Sequence, residues 1–109
     1  MAVKLTIKPG VKFDHDSLAL GRILATLLLW DYDGEVVITA GSNGTHAPKS
    51  RHYTGEAVDI RTHNFTLPVD TLRASLQAAL GPKFVVIWES PNTPNSHLHV
   101  QVRKATTYP

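Results

Sequence analysis

The chain has no cysteine among its 109 residues. That absence excludes a disulfide framework, a thiolate metal site and a catalytic thiol. Charge of one sign is scarce as well. The formal net charge is +2, from 11 Lys and Arg against 9 Asp and Glu. There is no Lys/Arg cluster and no basic stripe interleaved with aromatics, so nucleic acid is not expected as a partner and a metal-dependent nuclease is disfavoured. A membrane span is missing too: the apolar run 18–30 is too short and contains Arg22. The same run begins too late and lacks the small-residue cleavage site of a secretory signal. The expectation is a protein made in the cytoplasm without a signal peptide.

What is present fits one soluble domain over residues 1–109, with 42% hydrophobic and 18% charged residues. Val3 to Ile7 alternates apolar and polar residues, which predicts a short strand that Pro9-Gly10 ends. Asp14 or Asp16 caps a predicted helix with apolar positions Leu18, Ile23, Leu24, Leu27 and Leu28. Tyr32-Asp33-Gly34 reads as a turn, and Val36 to Ala40 as a buried strand. A long polar loop, Gly41 to Arg51, follows. Val69 to Leu80 reads as a second amphipathic helix between Pro68 and Gly81-Pro82. Phe84 to Trp88 and His97 to Arg103 read as strands around a Pro/Asn-rich loop, and the tail from Lys104 is expected to fray. The pattern predicts a small α+β domain with a mainly antiparallel sheet and flanking helices.

Six histidines are the notable excess, and three of them fall in two short stretches. One runs from Ser50 to Ile60 and contains His52 and Asp59; the other is His97-Leu98-His99. Together they offer the imidazole and carboxylate ligands of a zinc-type site. Strand periodicity strengthens the case. Asp59 and Arg61 share one face while Val58 and Ile60 take the other. His97, His99, Gln101 and Arg103 likewise share a face, opposite Leu98, Val100 and Val102. Two strands thus bury apolar residues on one side and present His and Asp on the other.

The pattern Ser50-x-His52-x-x-Gly55-x-Ala57-x-Asp59, answered by His97-x-His99, resembles the zinc peptidases of the D-Ala-D-Ala metallopeptidase group. That group includes bacterial and phage peptidoglycan hydrolases, and the hedgehog signalling domain is similar to it. The resemblance covers roughly residues 36–103. It implies one zinc ion held by His52, Asp59 and His99, and a hedgehog- or peptidase-like fold. It also implies that Glu89, just upstream of the last ligand, is the general base. His97 would lie near the metal as a transition-state stabiliser, and His46 would contact substrate or the developing oxyanion. Ser50 would orient the ligands, Gly55 and Ala57 would leave space beside the site, and Arg61 and His63 would stand at its rim. Where many peptidases of the group carry an Arg upstream of the motif, this sequence reads Gly41-Ser42-Asn43-Gly44.

Three protein ligands leave one zinc position open for water, which is the requirement for hydrolysis. The expected activity is hydrolysis of a peptide bond in the stem peptide of peptidoglycan. The expected agent is a monomeric carboxypeptidase or endopeptidase, a phage-type lysin or a bacterial enzyme that reaches the wall after lysis or assisted release. The alternative is a zinc-containing binding module without turnover, as in the hedgehog case.

Overall fold

Seven elements follow one another as β1 (Lys4–Ile7), α1 (Leu18–Leu29), β2 (Glu35–Ala40), β3 (Ala57–Arg61), α2 (Val69–Leu80), β4 (Phe84–Glu89) and β5 (His97–Val102). The structure, a computed structural model, describes residues 3–13, 18–41 and 56–103. The five strands form one mixed sheet in the order β1-β2-β3-β5-β4. β1 and β2 run parallel with α1 as the crossover, and the other neighbours are antiparallel. β5 returns between β3 and β4, so the last two strands to be made lie side by side next to the motif strand. The expected α+β class with a mainly antiparallel sheet is what the chain adopts.

Parity along the strands decides where the core lies. Val36, Ile38, Val58, Ile60, Phe84, Val86, Leu98, Val100 and Val102 are buried in one cluster with residues from both helices, so the helices pack on a single face of the sheet. Each such apolar side chain contributes about 1.5–3 kcal/mol of burial. α2 has the boundaries read from its sequence and buries Leu72, Leu76 and Leu80, one stripe at a spacing of four. It stops at Gly81, whose φ of 90° suits a residue without Cβ. Before that stop, the Gln77 amide donates to the carbonyls of Gly81 and Phe84 and accepts from the Val86 N–H, pinning edge strand β4 to the helix.

α1 departs from its expected stripe. It buries Ala19, Leu20, Ile23 and Leu27, whereas Leu18 and Leu28 are 68% and 59% exposed. Six leucines in twelve residues leave more apolar positions than one helix face can hold, so periodicity alone did not select between them. The expected Asp14 or Asp16 cap lies outside the described residues. Tyr32 is more than a turn residue. It is buried between Trp30 and Phe65, with Oη 3.1 Å from the Thr66 N–H that donates to it. Among the described residues no helix is long and apolar enough to cross a membrane.

Candidate metal centre

The face of the sheet away from the helices carries the polar residues, and strand register brings them together. β3 pairs with β5 so that Asp59 stands opposite His99 and Arg61 opposite His97. β4 pairs with β5 so that Glu89 stands opposite His97 and Ile87 opposite His99. β4 extends one residue beyond the expected Trp88, and that extra residue is Glu89. The loop from Ser90 to Ser96 closes a hairpin between β4 and β5, so its length does not move Glu89 away from His97. Ser90 and Asn92 take left-handed backbone conformations within it. Its far end is tied down by Ser96, whose Oγ receives the Trp88 indole N–H at 2.8 Å and lies 2.7 Å from the Thr62 hydroxyl. On the other side of β3, Ile38 pairs with Ile60 but Ala40 pairs with Asp59, leaving Thr39 as an extra residue. Bulges of this kind re-aim side chains beside sites.

His99 is 8% exposed and engaged at both ring nitrogens. Nδ1 lies 3.0 Å from Asp59 Oδ1, and Nε2 lies 2.6 Å from Gln101 Oε1. The Gln101 amide nitrogen donates to the Val102 carbonyl at 3.3 Å, which fixes Oε1 as the atom facing the imidazole. Burial alone would lower the His99 pKa. Its hydrogen bonds to Asp59 and Gln101, with the charges of Asp59 and Glu89, outweigh burial and raise it. The donor set fits a metal. Two ligand atoms on a tetrahedral zinc with bonds of roughly 2.0–2.1 Å lie about 3.3 Å apart. Asp59 Oδ1 and His99 Nδ1 need open by only a few tenths of an ångström to share an ion at that spacing. Nε2–H would stay on Gln101, the kind of partner that sets the tautomer of a ligating histidine.

His97 is arranged differently. Nδ1 donates to the Asn95 carbonyl at 2.6 Å, and Nε2 faces Glu89 Oε1 at 2.8 Å. Asp59 Oδ2 lies 3.8 Å from the same Nε2. Burial pulls the His97 pKa down, but the Asn95 carbonyl, the Asp59 charge and the Glu89 hydrogen bond together raise it. Facing oxygens on both sides, the ring is suited to carry two protons and a positive charge. It then offers no lone pair to a metal in this arrangement.

Asp59, Glu89 and His99 each place one ligand atom within 4.8 Å of the others, so Glu89 is within reach of the same centre. His52, His46, Ser50 and Gly55 lie outside the described residues. An open cleft of about 390 Å³ adjoins the centre, lined by Asp59 and His97, by Arg61 and His63, and by Lys8 and Thr39, with Pro94 to Ser96 as its far wall. Arg61 and His63, expected at the rim of the site, both line this cleft. Sequence reading assigned no role to Gln101, Thr39 or Lys8. Gln101 had a signal, since it shares strand parity with His99. Lys8 had none, because the parallel pairing of β1 with β2 that brings it to the cleft is non-local. No family model, curated protein or solved structure matches the chain.

Proposed function

We propose that the protein is a zinc-dependent peptidase that hydrolyses a peptide bond in the stem peptide of peptidoglycan. The observation that carries this reading is the pairing of Asp59 with His99 beside the pairing of Glu89 with His97, on one polar face. The resemblance of the motif from Ser50 to Asp59 and of His97-x-His99 to the D-Ala-D-Ala metallopeptidase group supplies the substrate class. His52, Asp59 and His99 are the zinc ligands in this reading. Zinc, when bound, supplies Lewis acidity that brings the pKa of water to roughly 7.

The chain's own residues do the rest. Glu89 is exposed enough to meet a solvent or substrate proton, and its Oε1 is held by His97. Its Oε2 accepts a proton from the attacking water and returns it to the leaving amine. His97 opposes the negative charge growing on the substrate carbonyl oxygen by its own positive charge, because both its N–H groups are already committed. His46 is assigned an additional contact to that oxygen. The enzyme works as a monomer.

The test is release of new amino termini from purified peptidoglycan, with zinc measured on the same samples and a chelator control. Glu89→Gln is expected to keep its zinc and fold while losing turnover by roughly 100-fold or more. Zinc lost from Glu89→Gln would make Glu89 a ligand. Full activity would remove it as the base. A zinc-loaded wild type that cuts none of a broad panel of walls would leave a zinc-containing binding module.

A further inference from the structure

The cleft beside the metal centre carries two cations that the reaction scheme does not use. Lys8 follows the end of β1 and is exposed, while Arg61 ends β3 and is half-buried. Both line the cleft with Asp59, the one carboxylate among its described lining residues. Asp59 is engaged by His99, and Glu89 by His97. Among the described residues neither the Arg61 guanidinium nor the Lys8 ammonium has a hydrogen-bond or ion-pair partner. The Arg61 guanidinium is open to solvent in this cleft, and its fork of donors fits a carboxylate in two parallel hydrogen bonds. The volume of about 390 Å³ is within the range that holds small ligands.

We propose that Arg61, assisted by Lys8, binds a carboxylate of the substrate next to the bond that is cut. The proposal rests on reading Asp59 and His99 as the reaction centre. A carboxylate at that place has two sources in a peptide: the free C-terminus of the residue being released, or an acidic side chain flanking the bond. The first makes the enzyme a carboxypeptidase. The second makes it an endopeptidase that selects an acidic residue.

The experiment is a chemical-shift titration of the isotope-labelled protein, metal-free and zinc-loaded. The probes are acetyl-D-alanyl-D-alanine, its C-terminal amide, and acetyl-D-alanyl-D-glutamate as the C-terminal amide. Metal-free protein is read first, because it removes direct carboxylate–zinc binding. A probe with the correct carboxylate is expected to bind roughly tenfold or more tightly than the plain amide. Preference for the first probe identifies the terminal carboxylate, and preference for the third identifies the side chain. Arg61→Gln is expected to abolish the preference, and Arg61→Lys to keep part of it. The spectra report whether each variant is folded. Equal affinity for all three probes overturns the proposal, as does a folded Arg61→Gln protein that still discriminates. Failure of the peptidase reading is seen separately: zinc-loaded protein would cleave no probe or wall while metal-free protein kept its preference.

Discussion

The two faces of the sheet are built from the same strands and obey different rules. Val58, Ile60, Leu98, Val100 and Val102 are essentially inaccessible against the helices. Asp59, Arg61, His97 and Gln101, their chain neighbours, are partly open to solvent on the opposite face. The core is thus assigned to one parity of β3 and β5, and the titratable side chains to the other. A one-residue slip of either strand would bury the carboxylate and imidazoles and expose the aliphatics, so the core fixes the register that the site needs. The site is held to a rigid element at little cost to the fold, because no core position is given up to a polar group.

That separation is tested most strongly by substituting neighbours on opposite faces. His52→Ala, Asp59→Ala and His99→Ala are each expected to weaken zinc binding by more than the roughly 100-fold that loss of an outer partner costs. Competition against a chromophoric chelator measures it, and full zinc occupancy in all three would eliminate the site. Leu98→Ala, one residue from His99, is expected to cost about 2–5 kcal/mol in urea unfolding of the metal-free protein. Its folded fraction is expected to bind zinc as wild type does. A Leu98→Ala protein that folds well but loses zinc would show that the two faces are not independent.

The difference between the faces also governs what could be read from the sequence. The core face was legible because Val58, Ile60, Leu98, Val100 and Val102 alternate with polar residues, and alternation is a local signal. The same alternation put Asp59 and His99 on one side before any pairing was known. It could not show that Asp59 is opposite His99 or Glu89 opposite His97, since register depends on contacts between separate segments. Helix α1 failed in the other direction: with leucine at 18, 20, 24, 27, 28 and 29, its sequence is too uniformly apolar to declare which face is buried. The crossover that α1 makes was equally illegible, and with it the arrival of Lys8 at the cleft.

Gln101 sharpens the comparison, because it belongs to the polar face and its side chain hydrogen-bonds His99 and the backbone of Val102. Gln101→Leu is expected to reduce zinc affinity by roughly 10- to 100-fold, the usual cost of losing the acceptor behind a ligating histidine. Unfolding of the metal-free protein should change much less than in Leu98→Ala. Gln101→Glu keeps an acceptor toward Nε2 and is expected to retain most of the affinity. If Gln101→Leu binds zinc as wild type does, the ring is oriented by something other than this amide.

The smallest effect expected is a pH dependence, and it separates the metal-free from the zinc-loaded chemical face. In the metal-free protein the pKa values of His97 and His99 are both raised, since the oxygens around them outweigh the effect of burial. A group whose folded pKa lies above its unfolded value favours the folded state when protonated. The contribution is therefore complete below the unfolded value of about 6.5 and is lost as pH rises through the folded values. Zinc needs His99 without its Nδ1 proton, so its binding strengthens over the same interval. Stability is expected to respond to pH with opposite sign in the two forms between about pH 6 and 8. The quantity to measure is the difference between wild type and His97→Gln in thermal unfolding. Without metal, that difference should shrink as pH rises, because only wild type has the His97 proton to lose. Parallel curves for the two metal-free proteins would mean that the Glu89–His97 pair adds no pH-dependent stability. The polar face would then owe its order to the core beneath it rather than to its own hydrogen bonds.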